Sequence, residues 1–260
     1  MMERILGFIK AHKILSVAAV IILAIGTAWV TDGHETYTWR YKTTVTLETP
    51  EGDKTGSAVR EVIVNVKPYS IDTRRPYRTK VHWQGEAVVI DLGKRGVVFS
   101  LPLSGNLGVD HGSDIVFYAF DGPAGLTTEG LEYYSHLKDA KTSLDPKFRP
   151  TMVMFKDAKD PKTVTLAYGV KMTSVPNQAE NQYDYDDHLE ELFGKGVKLK
   201  DVTIEMTDEP VTWGIEKHLG WLAQYHNKRL DGERYGTIKS QNRLANSLSS
   251  GAFSVGEKNE

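Results

Sequence analysis

Residues 14–30, ILSVAAVIILAIGTAWV, run for seventeen positions without a charge, and no other feature restricts the surroundings of this chain as strongly. Its polar members, Ser16 and Thr27, are short enough to bond back to their own helix. A helix of that length, rising about 1.5 Å per residue, lies at the lower edge of what spans a hydrocarbon core of about 30 Å. Arg4, Lys10 and Lys13 precede the run against one acid, Glu3. The positive-inside preference then keeps residues 1–13 in the cytoplasm and exports the rest, with Trp29 as an interfacial anchor. The expected topology is a single-pass inner-membrane protein with a periplasmic C-terminal domain. A cleaved signal peptide has the same order of basic and apolar segments, and Gly26, Thr27 and Ala28 supply small residues for the cut. That alternative yields an exported periplasmic protein; against it, the run exceeds the usual h-region of about 7–15 residues.

Downstream of the run the chain is long enough to bury a core of its own, and its composition is ordinary for a folded protein, with 25% charged residues. It contains no cysteine, so a disulfide framework, a zinc–thiolate site and a thiol nucleophile are all excluded. Lys and Arg total 32 against 34 Asp and Glu, with the signs interspersed. Such a balance lacks the clustered cations that neutralise phosphates, so no nucleic-acid partner is expected. The densest basic stretch, DTRRPYRTK at 72–80, reads as the solvated start of a strand, with lipid headgroups as the alternative contact.

Residues 36–48, TYTWRYKTTVTLE, set Tyr37, Trp39, Tyr41, Val45 and Leu47 on one face and Thr38, Arg40, Lys42, Thr44 and Thr46 on the other. A period of two with aromatic and β-branched members predicts a half-buried strand. After the turn residues TPEGDKTG, REVIVNVK aligns Val62, Val64 and Val66 as a second strand. A third alternation through Tyr77, Val81 and Trp83 leads to AVVIDLGKRGVVFSL, where Gly93 to Gly96 separate two apolar runs as a tight hairpin. Strands following one another without an intervening helix favour an antiparallel sheet.

The second half supplies helices to cover it. TTEGLEYYSHLKDAK carries Leu131, Tyr134 and Leu137 at helical spacing, and TWGIEKHLGWLAQY aligns Ile215, Leu219, Leu222 and Tyr225 as one apolar stripe. TMVMF, TVTLAYGV and VKLKDVTIEMT read as strands. The expected architecture is α+β: an N-terminal transmembrane helix, then a mainly antiparallel β-sheet domain over 31–227 with a few covering helices. Residues 228–260 are polar and aperiodic, which predicts a loosely packed tail.

GVDHGSDIVFYAF, residues 108–120, crowds Asp110, His111, Ser113 and Asp114 into what reads as a loop ahead of an apolar strand. A solvated turn explains it. As a catalytic group, Asp110, His111 and Asp114 would serve metal-dependent or hydrolytic chemistry, because an imidazole needs a bonded partner to fix its tautomer. Triad members ordinarily converge from separated elements, and Ser113 stands outside any G-x-S-x-G elbow. YDYDDHLEE, residues 183–191, offers Asp184, Asp186, Asp187 and His188 as ligands for a hard divalent cation. It departs from an EF-hand, since Leu189 replaces the turn glycine, and acids in a first helical turn complement the helix dipole. His34 has no second histidine at zincin spacing, and His218 is expected to be partly buried and hydrogen-bonded on its helix. No Walker loop, Rossmann glycine signature or H-E-x-x-H motif occurs, and no cofactor is implied.

FRPTMVMFKDAKDPKTV, VTIEMTDEPVTWGIEKHLGWL and RLANSLSSGAFSVG resemble phrases of uncharacterised bacterial single-pass or exported envelope proteins of unknown function. The resemblance covers most of residues 36–255 and implies a location in the bacterial envelope, with no activity or functional residue to carry over. The functional expectation is a membrane-anchored, non-catalytic binding or scaffold domain with an envelope protein as partner; the alternative is a periplasmic enzyme built on Asp110, His111 and Asp114.

Overall fold

Alternation in the sequence becomes two antiparallel sheets in the computed structural model, which describes residues 35–68, 77–104, 111–173 and 182–256. The chain divides into two compact units, one comprising residues 1–36 and 64–80 and the other residues 37–63 and 81–260. Within the first, the Thr36 hydroxyl donates to the Asn65 side-chain carbonyl at 2.9 Å.

The strands are β1 (Glu35–Glu48), β2 (Lys54–Pro68), β3 (Tyr77–Glu86), β4 (Val88–Asp91), β5 (Val97–Ser104), β6 (Lys141–Ser143), β7 (Pro150–Phe155), β8 (Val164–Thr173), β9 (Gln182–Asp187), β10 (Lys198–Met206) and β11 (Ser254–Val255). They form a six-stranded sheet in the order β11-β3-β2-β1-β10-β6 and a five-stranded sheet in the order β4-β5-β7-β8-β9. The β1 alternation is realised: Trp39, Tyr41, Thr43, Val45 and Leu47 are buried and the intervening residues are not. In the β4–β5 hairpin Gly93 and Gly96 take φ of 64° and 111°, which a side chain would oppose.

Among the described residues four α-helices accompany the sheets: α1 (His111–Ala119), α2 (Thr128–His136), α3 (Leu189–Phe193) and α4 (Arg243–Ser247). Thr127 caps α2 by accepting the Gly130 N–H, and Leu131 and Tyr134 form its buried face. Residues 111–119 are helical where a loop and strand were expected. IVFYA is continuously apolar, and such a run does not distinguish a buried strand from a buried helix.

The stripe expected as one helix over 212–225 is two short 3-10 turns, Ile215–Lys217 and Leu222–Tyr225. Gly214 at φ 135° fixes the start of the first, and Gly220 separates the two. The stripe still buries Ile215, Leu219 and Leu222, but His218 is exposed, a correction to its expected burial. The C-terminal segment differs most from expectation. Leu230, Ala245, Leu248, Ala252 and Phe253 are buried in one cluster with Phe99, Val153, Phe155 and Trp221, and β11 pairs with β3. Four aromatic rings meet there edge-on or tilted, with Phe253 5.6 Å from Phe155 and 5.8 Å from Trp221 between ring centres.

A Cβ at Gly56 of β2 would overlap the Val89 carbonyl of β4. Gly56→Ala is therefore expected to cost about 3 kcal/mol in denaturant unfolding, because backbone must shift to admit the methyl group. Gly169→Ala, whose Cβ meets only Leu166 at ordinary distance, serves as the control.

Residues 14–30 and 1–13 lie outside the described residues, as do His34, Asp110, residues 72–76 and residues 174–181. Among the described residues no helix is long and apolar enough to cross a membrane.

Candidate functional site

His111 opens α1 and is only 3% exposed. The Tyr41 hydroxyl donates to the backbone carbonyls of His111 and Gly112, at 3.1 and 2.8 Å, and so ties this turn to β1. Trp83 closes the same turn, since a Cβ at Gly112 would overlap its indole. One turn along the helix, Asp114 brings Oδ1 to 3.5 Å from His111 Nδ1. Both imidazole nitrogens and that oxygen are buried without a hydrogen-bond partner. Tyr118 sets its ring edge-on to the imidazole at 6.0 Å, and burial, then the charge of Asp114, pushes its phenol above the ordinary value. Of the suspected catalytic group the structure thus brings His111 and Asp114 together on one helix, with Asp110 outside the described residues.

The acidic cluster is engaged in structure. Asp186 pairs with Lys171 on the neighbouring strand. Asp187 accepts the Leu189 N–H at 3.0 Å in a turn just ahead of α3, while His188 Nδ1 lies 3.2 Å from Glu191. Asp184 is exposed on β9 opposite Lys171. Among the described residues no three His, Asp or Glu side chains gather as a metal site.

A cleft among the described residues lies elsewhere. The end of α2 and the residues after it run past β1 and the end of β10, anchored by Met206 N–H to the Ala140 carbonyl and Thr207 N–H to the Arg40 carbonyl. Between them lies a cleft of about 170 Å³ lined by Thr38, Arg40, Glu61, Lys138, Asp139 and Asp208, among others. Arg40 Nε donates to Glu61 at 2.6 Å, and Glu61 takes a second bond from Gln84, also 2.6 Å. Lys138 pairs with Asp208 at 2.9 Å, a contact exposed enough to open readily. Asp139 makes no hydrogen bond or ion pair among the described residues, and its φ of 52° makes it their one non-glycine in the left-handed region. Trp39 borders the cleft, and its indole N–H is buried without an acceptor.

Sequence reasoning missed this cleft. Arg40 read as the outward face of a strand, and nothing in that alternation says that residues 138–139 and Asp208 lie beside it. The only local cue was the HLKDAK stretch, where a helical pattern ends without glycine or proline and an aspartate takes the left-handed position.

Comparison with protein-family models, with curated proteins and with solved structures gave no match. Fold and site define an α+β protein of two antiparallel sheets with a polar cleft at the end of one of them.

Proposed function

We propose that this chain is a membrane-anchored binding protein of the bacterial envelope. Residues 14–30 hold it to the inner membrane, and the exported domain binds a small ligand bearing both charges in the cleft beside β1. The carrying observation is the cleft's mixed polarity: its lining combines the Arg40–Glu61 and Lys138–Asp208 pairs with the Asp139 carboxylate and the hydroxyls of Thr38 and Thr207. A free amino acid or dipeptide matches that pattern of donors and acceptors and that volume.

The test is thermal unfolding of the full chain in detergent with amino acids and dipeptides. A matching ligand at a hundredfold excess over its Kd raises the midpoint by about 5 °C. Asp139→Asn together with Lys138→Met abolishes the shift; a shift that survives both substitutions refutes the cleft. The anchor is tested separately: a phosphatase reporter fused at the C-terminus is active in the periplasm, and activity confined to the cytoplasm refutes the topology.

One observation favours a second reading, an enzyme using Asp110, His111 and Asp114: buried polar atoms without partners are rare, and here three meet at one turn. Calorimetric titration of the full chain with zinc or manganese checks it, with metal binding lost in His111→Ala as the supporting result.

A further inference from the structure

Residues 232–239, ahead of α4, are exposed at every position, and Ile238 at 85% and Tyr235 at 69% stand further out than any other large apolar side chain among the described residues. A single exposed isoleucine is ordinary on a folded surface. This one sits on a loop whose backbone is braced from within. Asn246 of α4, 2% exposed, accepts the Thr237 N–H on its side-chain oxygen and donates from its side-chain nitrogen to the Tyr235 carbonyl. Thr237 then closes the tip, its carbonyl accepting the Ser240 N–H at 3.3 Å and its hydroxyl the Lys239 N–H at 3.2 Å. The loop is also basic. Residues 228–243 carry five Lys and Arg against two acids, and one of these, Asp231, is taken up by the Ser240 hydroxyl and the Asn246 amide. The Arg234 guanidinium lies 5.3 Å from the Tyr235 ring centre, and Lys239 follows Ile238 directly.

We propose that this loop docks on an anionic bilayer surface, with Ile238 and Tyr235 entering the boundary between headgroups and acyl chains and Arg234 and Lys239 on lipid phosphates. The proposal takes only the bilayer location from the reading above and uses no residue of the cleft. Two observations favour lipid as the occupant. Acyl chains offer no hydrogen-bond partner, so a loop that enters them must satisfy its own backbone, and the bonds from Asn246 and Thr237 do so at Tyr235, Thr237, Lys239 and Ser240. An aliphatic tip, a tyrosine beside it and flanking cations are also the order of groups that suits the depth profile of an anionic interface. A protein partner calls instead for a broad patch depleted of charge at its centre, whereas two apolar side chains here stand between Arg234 and Lys239.

The chain contains no cysteine, and a Cβ at Gly236 meets its neighbours only at ordinary contact distance, so Gly236→Cys supplies a single labelling site between Tyr235 and Ile238. The full chain, carrying an environment-sensitive fluorophore there, is reconstituted into vesicles of phosphatidylcholine and phosphatidylglycerol. Nitroxide-bearing acyl chains quench the label at 236, while a label at Lys94→Cys, in the exposed β4–β5 turn, keeps its emission. Arg234→Gln with Lys239→Gln lowers the ratio of docked to free loop about thirtyfold, the effect of two cations at an anionic surface. Tyr235→Ser with Ile238→Asn abolishes the quenching, and unfolding midpoints equal to the parent's show that these surface variants fold. Quenching that survives the latter pair, or that is equal at 94 and 236, overturns the proposal. Alkaline carbonate extraction reads residues 14–30 separately. A chain that resists carbonate yet leaves the label at 236 unquenched keeps the anchor and overturns the loop; a chain stripped by carbonate but quenched at neutral pH supports the loop and refutes the anchor. An unquenched loop that instead retains a protein from envelope extract, and loses it in Tyr235→Ser with Ile238→Asn, overturns lipid as the occupant.

Discussion

Truncation after residue 227 is expected to remove cooperative unfolding altogether, and Phe253→Ala alone to cost about 4 kcal/mol. The removed segment supplies Leu230, Ala245, Leu248, Ala252 and Phe253 to the cluster that covers Phe99, Val153 and Phe155 of the five-stranded sheet. Without it that sheet exposes a contiguous apolar face, and the 3-10 turns bearing Ile215 and Leu222 lose their packing. Phe253 is fully buried, and its backbone carbonyl also accepts the Ala87 N–H at 2.8 Å, aligning β11 on β3. Alanine keeps that backbone bond and leaves a cavity between three rings, so the single substitution isolates packing from pairing. For a domain of this size the cost lowers the thermal midpoint by about 10 °C. Circular dichroism of the full chain and of the truncated chain reads both effects. A truncated chain that still unfolds in one sharp transition at the parent midpoint contradicts this account of the core.

The same segment shows where sequence reasoning lost the fold. Strands with strict alternation, such as Trp39 to Leu47, were legible because one face of a sheet repeats every two residues and the register follows. Residues 228–255 bury a few isolated side chains, at 230, 245, 248, 252 and 253, separated by loops, and no period announces them. Their backbone is held by local polar contacts instead: the Asn246 side chain accepts the Thr237 N–H at 2.5 Å and donates to Asp231 at 2.7 Å. Serine, asparagine and glycine are common in disordered tails and equally in such tightly bonded loops, so composition could not separate the two. The 212–225 stripe failed in another way. Its apolar spacing suits an α-helix, yet glycines at 214 and 220 break the backbone while the side chains still reach the core. Of the candidate sites, the His111–Asp114 pair was visible as a local cluster. The cleft was not, because Arg40, Lys138 and Asp208 are brought together by tertiary structure.

Arg60→Ala is expected to destabilise the protein by about 3 kcal/mol, and the reason leads to a pH signature in Glu86. Arg60 is 2% exposed; its Nε donates to the Glu86 carbonyl at 2.8 Å, its Nη1 donates to Thr43 at 3.0 Å, and its guanidinium lies 6.0 Å from the ring centre of Tyr41. Alanine leaves both acceptors buried without a donor. Lysine does not restore them, since its ammonium lacks the planar fork that reaches two directions at once. The Glu86 carboxylate, 4% exposed, accepts N–H bonds from Gly214 and Ile215 at 2.9 and 3.1 Å and so fixes the first 3-10 turn. Burial raises its pKa above the ordinary carboxylate value, against the lowering effect of those N–H bonds and of Arg60. The folded state therefore holds the Glu86 proton to higher pH than the unfolded chain does. The resulting stabilisation is complete below the ordinary carboxylate pKa and is lost as pH rises through the raised one. Glu86→Gln removes this titration while keeping an acceptor for one N–H. The difference in unfolding free energy between parent and Glu86→Gln is expected to shift steadily against the parent as pH rises from below the ordinary carboxylate range toward neutrality. Denaturant titrations of the two proteins across that range measure it, and parallel pH profiles would show that Glu86 titrates alike in the folded and unfolded chain.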